Sequence, residues 1–332
     1  MSNTSVTTPY VVDDLFGVVQ VYSDGSIVRT DPQNLNVDVH QEDGSVIWKD
    51  VTFDPIHGIQ LTLYKPSSSA ITNTKLPVCY YIHGGGFCVF SRILPYGHKY
   101  CISLASELQA IVVSIDYRLA PENRLPAAIE DGFTAIKWLQ AQALSDNPDT
   151  WFTDDVADFD RVFIVGDSAG GNIAHHLAVG LGAGSPDFAP VRVRGYVLLG
   201  AYFGGTGRMK SELEGQEGNP WGLEVLDRCW KLSLPVGETR DHPLANPFGP
   251  SSPSLETVAL DPILAVVGSC DILKDRTEDF VRRLKEWGKK IEYVEFEGED
   301  HGFFAIHPNS EASKKLMEII KRFIIESSNN QS

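Results

Sequence analysis

Five residues limit this chain more than any others. Gly166-Asp167-Ser168-Ala169-Gly170 stands between an apolar run at 161–165 and a helical pattern over 172–181. A serine is thereby set at the turn from a buried strand into a helix. Such a turn needs small residues on both sides, because strand and helix approach closely there and the serine backbone must leave the ordinary regions. The same five letters also describe a plain glycine-rich connection. Their company narrows the reading: His83-Gly84-Gly85-Gly86 lies upstream, and Asp271 and then His301 lie downstream.

A serine hydroxyl is a weak nucleophile at neutral pH, so it needs a base, and the base needs an acceptor that orients it. His301 falls in a loop after an expected strand at 292–297, and Asp271 directly follows another at 263–268. Both loops should leave the carboxyl edge of a parallel sheet, where the serine turn also lies and where open sheets of this kind bind ligands. Taken singly, His301 could be a surface histidine and Asp271 a helix cap; order and edge placement together point to a triad Ser168, Asp271 and His301. Asp275 is the rival acid, but it sits at a helix start. Gly85, Gly86 and Ala169 are expected to hold an oxyanion through backbone amides. A phosphate cradle is the other reading of the triple glycine, and it lacks the G-K-[ST] ending, with Phe87 where a lysine would be needed. This chemistry calls for no cofactor. The base must be neutral to work, so turnover should rise with pH through roughly 6 to 7.

The chain of 332 residues alternates short apolar runs with helical patterns from residue 76 onward. Strands are expected at 76–83, 111–116, 162–165, 193–199, 263–268 and 292–297, with helices at 127–142, 172–181, 275–289 and 311–327. Such alternation predicts an α/β architecture with a mostly parallel sheet covered by helices on both faces. Two earlier strands, 46–53 and 59–64, precede a polar loop at 67–75. Residues 18–22 and 27–29 flank Asp24-Gly25 as a hairpin, following a segment read as a helical arm. Only 204–253 breaks the rhythm, rich in Gly, Pro and charge around a short apolar helix at 223–232. We therefore expect one domain, 1–332, with an N-terminal arm at 1–45 and a cap insertion at 204–253.

A net charge of −16, from 44 acidic against 28 basic residues, disfavours nucleic acid and anionic membranes as partners. No apolar run approaches the length of a membrane span, and the first ten residues lack the pattern of a secretory signal. A soluble cytoplasmic or nuclear protein, monomeric or weakly dimeric, is the expectation. The five cysteines show no C-x-x-C spacing and read as reduced core thiols. His175 and His176 are adjacent, so they face different sides and do not make a metal pair. The acidic and basic residues of 116–122 read as an ion-pair network bracing the sheet edge. Phe87, Phe90, Ile93, Phe203, Trp221 and Phe303 are candidate pocket residues, each equally readable as core.

His83-Gly84-Gly85-Gly86-Phe87, Asp116-Tyr117-Arg118-Leu119-Ala120-Pro121-Glu122, Gly166-Asp167-Ser168-Ala169-Gly170-Gly171-Asn172 and Asp300-His301-Gly302-Phe303 together resemble the hormone-sensitive-lipase-like branch of the α/β-hydrolases, in its plant carboxylesterase form. The resemblance runs from about residue 14 to 323. Residues 13–17, 230–235 and 241–250 most resemble the plant carboxylesterases that degrade strigolactones. What this implies is a cap built from the arm and the insertion, and hydrolysis of small apolar esters or lactones, with a strigolactone as natural substrate. Gibberellin receptors share the fold but lack the catalytic histidine, so His301 argues against a receptor. Alkaloid cyclases and isoflavanone dehydratases also share it, and elimination or cyclisation stays open.

Overall fold

A computed structural model describes residues 8–30, 44–67, 75–215 and 220–329. Parts of the expected arm (1–7, 31–43), the polar loop (68–74), the insertion (216–219) and the tail (330–332) lie outside the described residues.

Segments made almost wholly of apolar residues form the inner strands, as burial on both faces demands. In chain order the elements are β1 (Val11–Leu15), β2 (Val19–Tyr22), β3 (Ile27–Arg29), β4 (Val46–Asp54), β5 (Ile59–Pro66), β6 (Leu76–Ile82), α1 (Pro95–Leu108), β7 (Ile111–Ile115), α2 (Ala127–Leu144), β8 (Ala157–Asp167), α3 (Ala169–Leu181), β9 (Val193–Leu199), α4 (Lys210–Leu213), α5 (Leu223–Ser233), β10 (Ile263–Gly268), α6 (Lys274–Glu286), β11 (Ile291–Phe296), α7 (Phe303–Ile306) and α8 (Glu311–Asn329). Among the described residues, eight strands make one sheet in the order β11-β10-β9-β8-β6-β7-β5-β4, and β1-β2-β3 make a separate small sheet. From β7 through β11 the neighbours are parallel, while β4, β5 and β7 pair antiparallel at the other edge. Every residue of β7, β9 and β10 is buried.

Alternate residues of β6 enter two different cores. Val78, Tyr80 and Ile82 join α2 and α3 through Ile136, Ile173 and Leu177, whereas Cys79 and Tyr81 join α1 and α8 through Leu104 and Ile320. Each such fully buried aliphatic side chain contributes about 1.5–3 kcal/mol, so the sheet is held from both faces. The expected α/β fold, a mostly parallel sheet with helices on both sides, is the one observed.

Three details differ from expectation. Val11–Leu15 is a strand and not a helical arm, because it pairs antiparallel with Val19–Tyr22, from Val11 opposite Tyr22 to Leu15 opposite Val19. Helix α1 was not assigned from the sequence: Pro occupies its first turn, and Tyr100, Cys101, Leu104, Ala105 and Leu108 repeat at helical spacing. Helix α3 starts immediately after the serine, three residues earlier than the apolar pattern suggested. All five cysteines are free thiols, four buried and Cys270 partly so.

Candidate active site

Ser168 is the single residue between β8 and α3, with φ 52° and ψ −115°. An L-residue there is strained by on the order of 1–3 kcal/mol and keeps that shape only where its surroundings enforce it. The enforcement is visible. The Ser168 amide donates to the Leu199 carbonyl at 2.8 Å, and the Ser168 carbonyl accepts from the Tyr202 amide at 2.8 Å. The flanking glycines are needed for space: a Cβ on Gly166 would lie 2.2 Å from the Gly170 carbonyl oxygen, and one on Gly170 would lie 2.0 Å from that of Ile82.

The ends of β10 and β11 bring two further loops to the same sheet edge. Asp271, only 2% exposed, shares its carboxylate between two partners. Oδ1 accepts from the Leu273 amide at 2.8 Å, and Oδ2 lies 2.8 Å from Nδ1 of His301. Asp271 is not the cap considered for it: Leu273 stands at the N-cap of α6 without a side-chain bond, and the Asp271 carboxylate closes the turn before the helix. Asp275 instead accepts from the Ser211 amide at 2.8 Å, facing α4. Gly200, at the exit of β9, was not singled out from the sequence, yet a Cβ there would come within 2.9 Å of Asp271 Oδ2 and 3.1 Å of the His301 ring. Burial pushes the His301 imidazole down, but the charge and hydrogen bond of Asp271, with Asp167 and Asp300 adding to them, hold it above its ordinary value.

Ser168 and His301 line one cavity of ≈ 250 Å³, together with Gly84, Gly85, Phe90, Tyr96, Trp221 and Ile306 among others. Both also border a narrow void of ≈ 10 Å³ with Asp271 and Phe303. A larger groove of ≈ 760 Å³, lined by Lys75, Leu76, Arg161 and Ile325, runs at the opposite ends of the strands and holds none of these groups. Of the six candidate pocket residues, Phe90 and Trp221 line the cavity, their rings 5.7 Å apart. The other four do not. Phe87 is buried against Tyr202 and Trp230, and Phe203 stacks on Phe280, so both are core. Ile93 is half-exposed outside the cavity. Phe303 packs on Phe296 and reaches only the narrow void. Neighbouring aromatic letters gave no sign of which ring turns toward the opening.

Gly85 and Gly86 have φ of 104° and 59°, and a Cβ on Gly85 would meet the Val89 carbonyl oxygen at 2.2 Å. Among the described residues, the amides of Gly85, Gly86 and Ala169 donate to no protein acceptor in the turns and loops. The segment 116–122 braces this loop and not merely the sheet edge. The Tyr117 hydroxyl donates to the carbonyls of His83 and Gly84 at 3.0 and 3.1 Å, and its ring stacks on that of His83 at 4.3 Å. Asp116 accepts from the Arg92 guanidinium at 2.8 Å, and Asp131 accepts from the Arg118 amide at 2.7 Å. Arg29, on β3, donates to the Cys88 and Ala120 carbonyls at 2.7 and 2.6 Å and pairs with Glu122. Sequence reasoning missed Arg29, since 59 residues separate it from Cys88.

Asp167 was also passed over as the second letter of the serine turn. It is half-buried, lines the cavity, and accepts from the Tyr81 hydroxyl at 3.2 Å. Burial pushes its carboxyl up to about 6, against the opposing pull of His301 and Tyr81. His175 is buried edge-on to Phe203 and Phe280, and Nε2 of His176 faces the Leu244 carbonyl at 3.3 Å, so neither belongs to the site.

Residues 79–305 match the alpha/beta hydrolase fold family. The chain is 38% identical over 285 residues to a 3-O-acetylpapaveroxine carboxylesterase of Papaver somniferum, covering 83% of this chain and 89% of that one. It is 34% identical over 336 residues to a 2-hydroxyisoflavanone dehydratase of Glycyrrhiza echinata, covering 98% and 99%. Among solved structures, a thermostable carboxylesterase from a metagenomic library superimposes with a TM-score of 0.70 at 29% identity, covering 85% of this chain and 90% of that one.

Proposed function

The chain belongs to the α/β-hydrolase family and is a serine carboxylesterase, and within that class we propose that Ser168 is the nucleophile, His301 the general base and Asp271 the residue that orients it. The observation that carries this reading is the 2.8 Å contact between His301 Nδ1 and Asp271, with His301 and the strained Ser168 on the wall of one cavity. Nδ1–H donated to Asp271 leaves the other ring nitrogen free to accept the Ser168 proton. The serine oxygen adds to the ester carbonyl, and the resulting oxyanion is held by the amides of Gly85, Gly86 and Ala169, which are worth several kcal/mol when pre-aimed. His301 then returns the proton to the departing alcohol. Water repeats the sequence on the acyl-enzyme.

The substrate class is a small apolar ester or lactone, supported by the aromatic wall of Phe90 and Trp221. The finer proposal is a strigolactone, attacked at its butenolide carbonyl with the enol-ether half leaving; its support is the resemblance at 13–17, 230–235 and 241–250. Elimination is the second reading, favoured by the dehydratase relative at 34% identity. The N-terminal sheet and the insertion 204–253 together form the cap in this proposal, since Asp13 pairs with Lys231 and Phe16 meets Trp221 ring to ring at 5.1 Å.

The experiment follows hydrolysis of nitrophenyl acetate and of a strigolactone analogue, and loss of water from 2-hydroxyisoflavanone, by the protein and by Ser168→Ala. Loss of ester turnover by several orders of magnitude in the variant is expected; retention within about tenfold would remove Ser168 as nucleophile. Brisk nitrophenyl acetate turnover with an intact strigolactone analogue overturns the hormone assignment alone.

A further inference from the structure

The turn that presents the nucleophile carries a second ionisable group that the proposed mechanism leaves unused. Asp167 ends β8, one residue before Ser168, and its side chain enters the wall shared by Ser168 and His301 in both the cavity and the narrow void behind it. A surface-facing residue at that position would be ordinary. Here the half-buried carboxylate accepts from the Tyr81 hydroxyl at 3.2 Å and lies against the backbone of Gly84. Gly84 lies so close that a Cβ on it would stand 3.0 Å from Asp167 Oδ2. The carboxylate is therefore fixed between the nucleophile turn and the glycine loop, with the imidazole as the cationic group it faces once His301 is protonated.

We propose, resting on the assignment of His301 as general base, that Asp167 is an electrostatic positioning residue for the catalytic imidazole, a second carboxylate that stabilises the imidazolium from the strand bearing the nucleophile. It neither gives nor takes the proton. That proton moves from Ser168 to His301 and on to the leaving oxygen, and Asp167 lowers the free energy of the step at which His301 carries it. Two carboxylates then flank one ring from different strands: Asp271, after β10, fixes the tautomer through Nδ1, and Asp167, at the end of β8, acts through charge.

The interaction is felt from both sides, His301 drawing Asp167 down and Asp167 drawing His301 up. Asp271 and Asp300 also act on the ring, and Tyr81, His83 and Tyr96 share the cavity. Asp271 cannot be removed without losing the tautomer, and Asp300 sits on the ring's own loop. Asp167 is thus the charge that can be altered while the hydrogen bond holding the imidazole stays in place.

The test is the pH dependence of kcat/KM for nitrophenyl acetate in the full chain, each variant normalised to its own plateau. Asp167→Asn keeps an oxygen for the Tyr81 hydroxyl and Gly84 while deleting the charge. The acid limb of the profile is expected to move to lower pH by about one unit, in the range a neighbouring charge produces. Tyr81→Phe removes the anchor that favours the ionised carboxylate, and should move the limb in the same direction by less. A limb that stays put in Asp167→Asn, with its plateau merely lowered, would make the residue a brace for the glycine loop and overturn the proposal. Should Asp167→Asn fail to fold, an unmoved limb in Tyr81→Phe overturns it equally. Failure of the triad itself reads differently, as activity surviving Ser168→Ala.

Discussion

Single residues carry this chemistry by being held where they would not rest alone. Ser168 keeps φ 52° because glycines on both sides let a carbonyl stack against Cα, and the Leu199 and Tyr202 backbones pin it from the next strand. Burial would leave His301 neutral and less basic than usual, but Asp271, Asp167 and Asp300 together outweigh burial, and the ring ends above its ordinary value of 6.5. Only the neutral imidazole accepts the serine proton, so kcat/KM should fall as pH drops through a limb above 6.5, measurable with a neutral ester in buffers of constant ionic strength. Stability runs the other way. A raised histidine pKa contributes folding stability that is complete below the unfolded value and is lost as pH rises through the folded one. A limb at or below 6.5 would show that the carboxylates around the ring do not outweigh its burial. The letters Ser, Asp and His were legible in the sequence because the spacing of strands and glycines advertised them. Gly200, Tyr117 and Asp167 were not, since their importance lies in which side chain comes to rest against them.

At the scale of elements, the N-terminal sheet is tied into the core: Leu15 and Val19 are fully buried in the main apolar cluster. Arg29 extends from β3 to the backbone just beyond the glycine loop. The arm is therefore both a wall of the proposed cap and a brace for the proposed oxyanion amides. Arg29→Ala leaves the Cys88 and Ala120 carbonyls without their donor, a loss of about 1–3 kcal/mol. It should lower kcat for nitrophenyl acetate as well as for bulky esters. A variant that keeps kcat on the small ester and loses only bulky substrates would return the arm to a purely covering role. Helix α1 shows why such an element escapes notice: Pro and Gly at its start read as punctuation, and only the contact of Tyr100 with Tyr81 and Phe304 shows the face it buries.

Across the whole molecule, the segment 204–213 is fastened to the loop that bears Asp271 by a cluster of polar contacts with little exposure. Arg276, on α6, pairs with Glu212 and donates to the carbonyls of Gly204, Gly205 and Gly207. Ser211 donates to the Ile272 carbonyl at 2.9 Å, one residue from Asp271. Breaking a buried pair of this kind costs about 3–5 kcal/mol, so Arg276→Ala should lower the unfolding free energy by that order in denaturant titration. A change under 1 kcal/mol would show that the insertion is not anchored there. By itself, the sequence determined the layered sheet, its carboxyl edge and the three residues expected to do chemistry, because apolar periodicity and glycine spacing are local properties of the chain. Which aromatic rings line the cavity, that Arg29 reaches Cys88, and that Asp167 turns inward beside His301 were decided only by tertiary packing. Each depends on residues far apart in the chain meeting in one place, and no local pattern records such a meeting.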